Sequence, residues 1–496
     1  MKVLLIKPPQ TLPKNFKGVA RFFPSVGLGY LASSLEKAGH SVKILDAGIE
    51  KWQQVNVRED GVKYIGMRFE EIQKAIEAEK PDLVGITTLT VDAFNAHQVA
   101  RVSKAAGVKV VMGGCHVSVR PDETLKDDNV DYVVVGEGEE TIVELANALK
   151  EGKALNGING LMFKENGNIV RNEPRAFRKD MDSLPFPAWH LLPMKKYFEI
   201  STFLQGSHLI PERHFSIATS RSCPYDCVFC SVRTIMGKGF RPRSPWNVIA
   251  EMEKLIEDYK IKFFSIEDDN LTLDRARIDK ILDLMIERGI SKKIKWDTPN
   301  GLRADTLDEP LLLKMKEAGA SLIYVSPESG SQRVVNEVIK KNLDLKRVED
   351  AVRICQKIGL RIGCFFVIGL PGETKSEIEE TVAFAKKLRE LGAMTLCTIA
   401  RPTYGTDLYK ICKDNGYLVA DEKELELGIL NAEGTIKTPE FTPEDLKKYA
   451  EEIRQGNEQN EMRELIRKRP LYLLKLFIMH PLFITKYVIK KYAIGD

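Results

Sequence analysis

Residues 213–230 read Arg-His-Phe-Ser-Ile-Ala-Thr-Ser-Arg-Ser-Cys-Pro-Tyr-Asp-Cys-Val-Phe-Cys, an apolar run followed by a loop with three cysteines. The loop has the spacing C-x3-C-x2-C at Cys223, Cys227 and Cys230, whereas the other five of the eight cysteines are scattered. In a long chain whose first residues do not resemble a secretion signal, such a tight group predicts a metal centre rather than a disulfide framework. A reducing cytoplasm is the setting that this cysteine usage indicates.

Around this loop, residues 213–405 alternate short apolar runs with helical patterns. Six such units predict a partial (β/α)6 barrel, in which the chemistry lies at the carboxyl ends of the strands. The predicted strands are Phe215–Thr219, Phe263–Ile266, Ile294–Asp297, Leu322–Val325, Ile362–Ile368 and Met394–Ile399. The predicted helices are Trp246–Tyr259, Arg275–Arg288, Pro310–Glu317, Leu345–Ile358 and Lys375–Leu391.

The first 150 residues show a second alternation of strands and helices. The strands are short and rich in Val, Ile and Leu, as is typical of strands that are buried on both faces of a parallel sheet. The fold class is therefore α/β, with a Rossmann-like domain of the flavodoxin type before the barrel, and ligands in such sheets bind at the carboxyl ends of the strands. The predicted strands are Val3–Ile6, Val42–Leu45, Leu83–Thr87, Val108–Met112 and Tyr132–Val135.

The cysteine loop, with the aromatic Phe229 before its last cysteine, resembles the cluster-binding loop of radical S-adenosylmethionine (SAM) enzymes. The resemblance covers most of residues 213–405. It implies a 4Fe-4S cluster whose open iron chelates SAM, and a 5′-deoxyadenosyl radical that forms when SAM is cleaved reductively. Polar residues at the next strand ends match positions where the family contacts SAM. With Phe229, the implied SAM-binding residues are Glu267, Asp268, Asp269, Asn270, Asn300, Arg303, Glu328 and Ser329.

The N-terminal sheet resembles the cobalamin-binding domain that is fused to many radical SAM enzymes. The implied cobalamin-binding residues are Thr87, Thr88, Gly113, Gly114, His116, Gly136, Glu137 and Gly138. The chain departs from cobalamin domains that carry Asp-x-His-x-x-Gly, because Asp46-Ala47-Gly48 stands there without a histidine. The lower cobalt ligand is therefore open, and His116 is read as a contact to the cobalamin tail or as a structural residue. A domain that has lost cobalamin and serves as a scaffold is the alternative.

Structural explanations that require no SAM or cobalamin also fit some of these residues. The three cysteines could hold zinc if His208 or His214 completed the site. Acids and asparagines after strands often cap helices. Arg241 and Arg243 could face an anionic group, but they fit surface arginines at least as well.

Between and beyond the two alternations lie a linker with a hairpin at 151–212 and a helical region at 406–496. The net charge of +4 gives no electrostatic case for nucleic-acid binding. In the last part of the chain, residues 468–491 are apolar with one basic stripe of Lys468, Lys475, Lys486 and Lys490. Such a helix fits peripheral contact with the inner face of a membrane, or packing on the protein with the lysines in water.

The combined resemblance implies a cobalamin-dependent radical SAM enzyme that transfers a methyl group to an unactivated carbon. The alternatives are a non-methylating radical reaction on a lipid, isoprenoid or tetrapyrrole, and a cobalamin-binding sensor without catalysis. A radical SAM enzyme needs an electron donor such as flavodoxin or ferredoxin. No catalytic residue on the substrate side follows from the sequence, and Tyr324, Arg401 and Tyr404 are named only because they lie near strand ends. The oligomeric state stays open.

Overall fold

The computed structural model describes residues 1–12, 20, 22–204, 213–421, 425, 434–454 and 474. The predicted basic stripe at 468–491, apart from residue 474, lies outside these described residues, as does His208. None of the described helices has the length and hydropathy needed to cross a lipid bilayer.

The N-terminal part is a layered α/β domain. Its strands are β1 (Lys2–Lys7), β2 (Gln10–Thr11), β3 (Ser41–Asp46), β4 (Val55–Val57), β5 (Lys63–Ile65), β6 (Leu83–Thr87), β7 (Lys109–Gly113), β8 (Tyr132–Val134), β9 (Leu161–Glu165) and β10 (Asn168–Arg171). Its helices are α1 (Val26–Lys37), α2 (Ala47–Glu50), α3 (Phe69–Glu79), α4 (Ala93–Ala105), α5 (Cys115–Val119), α6 (Pro121–Lys126) and α7 (Glu139–Glu151).

The main sheet of this domain has the order β10-β9-β8-β7-β6-β1-β3. Strands β3, β1, β6, β7 and β8 are parallel, and their order confirms the flavodoxin-type topology. Alternate residues of β1 pack into two different cores, Val3 and Leu5 on one face and Leu4 and Ile6 on the other. Burial on both faces explains why this strand is apolar at every position from 3 to 6.

The second part is the predicted barrel. Its strands are β11 (His214–Ile217), β12 (Ser220–Arg221), β13 (Arg241–Pro242), β14 (Phe263–Ile266), β15 (Lys295–Asp297), β16 (Ala320–Glu328), β17 (Arg361–Ile368) and β18 (Met394–Ile399). The helices are α8 (Met194–Leu204), α9 (Val232–Met236), α10 (Pro245–Tyr259), α11 (Arg275–Glu287), α12 (Glu309–Glu317), α13 (Leu345–Ile358), α14 (Lys375–Glu390), α15 (Asp407–Asp414) and α16 (Pro443–Arg454).

Six barrel strands are parallel and follow chain order, β11-β14-β15-β16-β17-β18. The first and last of them are not paired, so the barrel is open, as the six predicted units implied. Helix α10 begins as the sequence suggests, because the Ser244 hydroxyl accepts from the backbone N–H of Asn247 at 3.2 Å and Pro245 holds the first helical position.

The hairpin in the predicted linker is part of the first sheet. Strand β9 pairs antiparallel with β8, and β10 pairs with β9, so the chain from 161 to 171 extends the sheet edge. The sequence pattern identified the hairpin but not its partner. Pairing between strands of different segments is a tertiary contact that local patterns do not encode.

Candidate active site between the two sheets

The cysteine loop follows β11 and its mini-strand β12, at the carboxyl end of the barrel. Cys223, Cys227 and Cys230 are half-buried free thiols. Burial is the main cause that raises the pKa of each, to about 11 for Cys227, and the proximity of Cys223 and Cys230 raises it further. The three thiols are therefore close enough to affect the pKa of Cys227, and a positively charged iron centre would favour their thiolate forms.

Asp268 holds the chain that leads into this loop. Its buried carboxylate accepts hydrogen bonds from the Thr219 backbone N–H at 2.6 Å, the Thr219 hydroxyl at 2.5 Å and the Ser220 hydroxyl at 2.6 Å. The guanidinium of Arg277 donates to the Thr219 carbonyl at 2.6 Å from the other side. Asp268 is therefore placed to position the loop, and its oxygens are occupied by protein donors.

Asp269 and Asn270 point toward the cysteines. Burial, followed by repulsion from Asp268, raises the pKa of Asp269 to about 6, and Asp269 in turn raises the pKa of both Cys223 and Cys230. Both polar atoms of the Asn270 side chain are buried without a hydrogen-bond partner among the described residues. Its amide lies close enough to Cys223 to affect the pKa of that thiol. Asp269 accepts from the Ser222 backbone N–H at 3.2 Å. Buried polar groups without partners are rare, so the Asn270 side chain fits a polar ligand beside the cysteines.

The predicted residues after β15 have different surroundings. Asn300 is exposed, and its side chain donates to the Glu267 carbonyl at 2.8 Å. The guanidinium of Arg303 is paired with Asp305 at 2.7 Å and lies 3.8 Å above the ring of Tyr225 in the cysteine loop. Arg303 also donates to the carbonyls of residues 341 and 342. Arg303 therefore connects the cysteine loop, through the Tyr225 ring, to the segment that contains residues 341 and 342.

Glu328 ends β16 in a left-handed conformation, with φ of +67°. Its buried carboxylate pairs with Lys341 Nζ at 2.7 Å, and both charges act on the pKa of Cys227. Nothing in the sequence pattern singled out Lys341. Ser329 is fully buried, and its hydroxyl contacts the Thr381 hydroxyl at 2.9 Å, so it joins β16 to α14. Phe229 packs half-buried at the edge of the barrel core.

The inside of the open barrel has a polar half and an apolar half. Because Phe264 and Ile266 pack outward under the helices, the alternate residues of β14 face inward. On the polar side, His214 contacts the Ser265 hydroxyl at 2.8 Å, which donates to Asp297 at 2.6 Å. Burial is the main cause that raises the pKa of Asp297 to about 7.

On the apolar side, the rings of Tyr324 and Phe365 stack at 4.7 Å across β16 and β17. A Cβ at Gly363 would lie 2.5 Å from the Tyr324 ring, so the ring can occupy this position only because residue 363 has no side chain. Alternation along these strands places both rings toward the barrel interior. A substrate with an apolar body and a polar end fits such a lining.

The glycine loops of the first sheet lie at the carboxyl ends of β6 and β7. Gly114 has φ of +101°, and a Cβ there would lie 2.9 Å from the backbone N and O of Thr88. The backbone of Thr88 is bonded to the neighbouring loop through the Gly113 carbonyl at 2.9 Å and the His116 N–H at 3.1 Å. The Thr88 hydroxyl is buried and has no hydrogen-bond partner within the described ranges. Thr87 is half-buried beside them. Gly114 therefore lets the loops after β6 and β7 pack closely against each other, and the Thr88 hydroxyl is a buried polar group that a bound ligand could satisfy.

His116 lies where the two sheets meet. Its ring contacts the ring of Tyr404, which follows β18, edge-on at 6.1 Å, and its Nδ1 lies 3.2 Å from the Thr90 hydroxyl. Burial is the main cause that lowers the pKa of His116 to about 4, so the imidazole is neutral. The guanidinium of Arg120 also lies over the Tyr404 ring, 4.5 Å from the ring centre. The adjacent Cys115 is close enough to Asp269 for that carboxylate to raise its pKa, in addition to the larger effect of burial.

The loop Gly136-Glu137-Gly138 connects the two domains through ion pairs of Glu137. Glu137 pairs with Arg221 at 2.8 Å and with Arg241 at 2.8 Å, and Glu139 pairs with Arg221 at 2.6 Å. Although burial acts to raise the pKa of Glu137, the two arginines hold it below its ordinary value. Glu137 was predicted to contact cobalamin, and its carboxylate is occupied here by protein partners. The glycines on either side of it are half-buried.

The interpretation of Arg241 and Arg243 as surface residues is wrong. Arg243 is 3% exposed and pairs with Glu251 at 2.5 Å, and Arg241 pairs with Glu137 across the domain boundary. Arg241, on the mini-strand β13, points toward the loop before α7, and Arg243, just after β13, points toward α10. Sequence alone could not show this, because an arginine is buried only where a distant acid compensates its charge.

Asp46 ends β3, where cobalamin domains with the Asp-x-His-x-x-Gly motif carry their ligating histidine two residues later. Its carboxylate caps α2 through the N–H groups of Gly48 at 3.1 Å and Ile49 at 3.2 Å, and it pairs with Lys7 at 3.1 Å. The Tyr197 hydroxyl donates to the same carboxylate. This loop contains no histidine, as the sequence showed.

The zinc alternative finds no geometric support in the described part of the chain. No three His, Cys, Asp or Glu side chains there converge on a single metal ion. His214 begins β11, at the end of that strand opposite to the cysteine loop. Three residues were named as candidates on the substrate side because they lie near strand ends. Tyr324 and Tyr404 are buried, and Arg401 is half-buried.

Comparison with known proteins agrees with this architecture. Residues 18–146 match the B12 binding domain, and residues 217–385 match the radical SAM superfamily. The chain is 35% identical over 502 residues to an uncharacterized methyltransferase of Pyrococcus horikoshii, covering 99% of this chain and 97% of the relative. It is 31% identical over 468 residues to cytidylyl-2-hydroxyethylphosphonate methyltransferase of Streptomyces wedmorensis, covering 87% and 86%.

A solved structure has the same fold. The radical SAM methyltransferase TsrM of Kitasatospora setae, with tryptophan and a SAM analogue bound, gives a TM-score of 0.65 at 20% identity, covering 84% of this chain and 77% of that one. The two matched domains, the cysteine loop and the near-full-length relatives establish one conclusion. The chain belongs to the cobalamin-dependent radical SAM enzymes, whose cofactors are a 4Fe-4S cluster, SAM and cobalamin.

Proposed function

We propose that the protein transfers a methyl group to a carbon atom of a small molecule held between the two sheets. The observation that carries the proposal is that the glycine loop after β7 meets the cysteine loop region of the barrel. His116 contacts Tyr404, and Cys115 lies near Asp269. When bound, SAM and the cluster supply a 5′-deoxyadenosyl radical, and cobalamin supplies the methyl group.

The residues of the chain hold and separate these groups. Cys223, Cys227 and Cys230 would hold the cluster, with Asp269 and Asn270 beside it as polar contacts for SAM. The closely packed loops of Thr88 and Gly114, at the carboxyl edge of the first sheet, would hold cobalamin. The Glu137–Arg221 ion pair at 2.8 Å keeps the two domains in register. The Tyr324–Phe365 stack gives the substrate an apolar wall.

The test is SAM with a deuterated methyl group, supplied to anaerobically reconstituted enzyme with a panel of small molecules. The proposal expects a product that is heavier by one labelled methyl group, together with 5′-deoxyadenosine. A product without label, formed with 5′-deoxyadenosine, would support the non-methylating alternative instead. Absence of SAM cleavage under every reductant would contradict both reactions.

Peripheral contact with a membrane through residues 468–491 falls outside the described residues, apart from Leu474. Vesicle co-sedimentation of the full chain with anionic lipid, compared with a chain that ends at residue 454, tests it. Reductive cleavage of SAM also requires a one-electron donor such as flavodoxin or ferredoxin, and 5′-deoxyadenosine formation with reduced flavodoxin in place of dithionite tests this proposal.

A further inference from the structure

Two acids that follow β8, Glu137 and Glu139, take their positive partners from the other domain. The guanidinium of Arg221 donates from one nitrogen to Glu137 at 2.8 Å and from another to Glu139 at 2.6 Å. Arg241 donates to the same Glu137 carboxylate at 2.8 Å. The four side chains are only 10% to 14% exposed, so two positive and two negative charges lie together away from water. A planar fork that bonds two carboxylates at once fixes their relative position, which a single point charge cannot do.

Aromatic rings hold the two guanidinium groups as well. Arg221 lies 5.0 Å from the centre of the Tyr30 ring, which belongs to α1 and is buried, and Arg241 lies 5.1 Å from the centre of the Phe177 ring. Such contacts between a cation and a ring face are attractive. Three side chains of the first domain, Glu137, Glu139 and Tyr30, therefore determine where Arg221 lies, although Arg221 itself belongs to the barrel.

Arg221 is at the same time the start of the cysteine loop. It ends β12 of the ribbon β12–β13, and Cys223 follows two residues later. Ser222, between them, has φ of +72°, and its hydroxyl donates to the Gly237 carbonyl. The Ser222 backbone N–H donates to Asp269 at 3.2 Å. Because the one intervening residue is held from two sides, a displacement of Arg221 must also displace Cys223.

We propose that Arg221 is a positioning residue that makes the binding of the two cofactors interdependent. The inference rests on the proposed function, because it takes the cluster to lie at the cysteine loop and cobalamin at the glycine loops. The group that binds first fixes its own loop and, through the ion pairs of Arg221, the loop of the other domain. The second group then binds to a loop that is already ordered, so less conformational entropy is lost. Since coupling between two binding sites is reciprocal, each cofactor should increase the affinity for the other.

The experiment measures the affinity for hydroxocobalamin twice, on the cluster-free chain and on the chain reconstituted anaerobically with iron and sulfide. The wild-type protein should bind about tenfold more tightly when the cluster is present, a ratio within the usual range of coupling between sites. Arg221→Lys keeps the positive charge but cannot bond both carboxylates, so the ratio of the two affinities should fall to about one.

Arg175→Lys is the matched control. Arg175 also bonds two acids of α7, Glu140 at 2.8 Å and Glu144, and its side chain is 13% exposed, close to the exposure of Arg221. Its partners do not connect it to the cysteine loop. The affinity ratio of Arg175→Lys should therefore remain about tenfold.

Removal of iron by a chelator supplies a readout from the other site. Bound cobalamin should slow the loss of iron from the wild-type protein and from Arg175→Lys, and should leave the rate unchanged in Arg221→Lys. Arg241→Lys loosens the second arginine at Glu137 and should also reduce the affinity ratio, so it replaces Arg221→Lys if that variant does not fold.

Three results would overturn the coupling: a wild-type ratio of about one, a tenfold ratio in the folded variant of Arg221 or its replacement, and loss of the ratio in Arg175→Lys. Wild-type protein that binds iron but no hydroxocobalamin in either state would instead contradict the proposed function.

Discussion

The cysteine loop of the barrel and the glycine loops of the first sheet solve opposite problems. The cysteine loop is held in an unusual shape by side chains, with Ser222 at φ of +72° and Asp268 accepting three hydrogen bonds. The glycine loops instead pack backbone on backbone, since a Cβ at Gly114 would lie 2.9 Å from the Thr88 backbone. Ligation of iron requires placed side-chain atoms, whereas the position of the glycine loops depends on the absence of a side chain. The two sites should therefore fail in different ways when they are mutated.

The largest effect is expected at the cysteine loop. Cys227→Ala removes one of the three thiolates, so the iron content should fall from about four per chain to below one, and SAM cleavage should be abolished. Cys355→Ala is the control, because Cys355 is buried in the barrel core away from the loop. Iron analysis and 5′-deoxyadenosine formation measure both variants. Retention of a full cluster by Cys227→Ala would remove Cys227 from the ligand set.

The glycine loop after β7 should lose its cobalamin affinity when a side chain is added to it. Gly114→Ala combines a left-handed backbone with a 2.9 Å approach to Thr88, and a displaced loop should weaken cobalamin binding about 100-fold, which corresponds to about 3 kcal/mol. Iron content should stay unchanged. Gly39→Ala shares the positive φ, at +81°, but has open space around the new Cβ, so it should bind cobalamin normally. Titration with hydroxocobalamin followed by absorbance checks the contrast, and equal affinities for the two variants would contradict it.

The side chain that holds the cysteine loop gives a smaller effect. Asp268→Asn replaces a carboxylate that accepts three hydrogen bonds with a group that also donates, and the barrel should lose about 2 kcal/mol of stability. Asp226→Asn is the control within the same loop, since Asp226 is partly exposed and pairs with Lys238. Denaturation midpoints of the anaerobic apo-proteins compare the two. A larger shift for Asp226→Asn would show that Asp268 does not position the loop.

The smallest effect is a pH dependence at the interface of the two sheets. The pKa of His116 is about 4 in the folded protein, chiefly because of burial, and lies below the value of an exposed histidine. The unfolded chain therefore binds more protons between about pH 4 and 6.5, and stability falls as the pH falls through that window. From pH 7 to 5.5 this group should remove about 1 kcal/mol. His116→Gln should lose less stability over the same range, whereas the exposed His190→Gln should follow the wild type. Parallel curves for His116→Gln and wild type would contradict the assignment.

Local patterns predicted the elements best where they end in turns. Strands Leu83–Thr87, Phe263–Ile266 and Met394–Ile399 and helix Leu345–Ile358 have the predicted bounds. Each is an apolar or amphipathic run between turn-forming or capping residues, so its length is written in the chain. Strand β16 instead continues to Glu328, beyond the predicted end at Val325, because β17 offers a partner through a register shift.

The candidate site was predicted less evenly. The three cysteines and the acids after β14 were named from the sequence because motif and strand end lie close together in it, and their roles as ligands stay predictions. The polar inward residues His214 and Ser265 and the pairing of Glu328 with Lys341 were missed, since each joins separate strands or loops. Strand alternation, combined with the barrel prediction, is the signal that could have placed His214 and Ser265 on a common face.

The sequence by itself determined that this chain carries a cluster loop after a barrel strand and a flavodoxin-type sheet before it. Both follow from short-range chemistry: thiolates spaced to converge, and apolar runs that must be buried. The tertiary structure decided which polar groups remain available. Glu137, Arg303 and Ser329 are occupied by partners far away in the chain, whereas Asn270 and the Thr88 hydroxyl lack such partners among the described residues. The physical reason is that a buried charge or hydroxyl takes whichever partner the packing of distant segments brings to it.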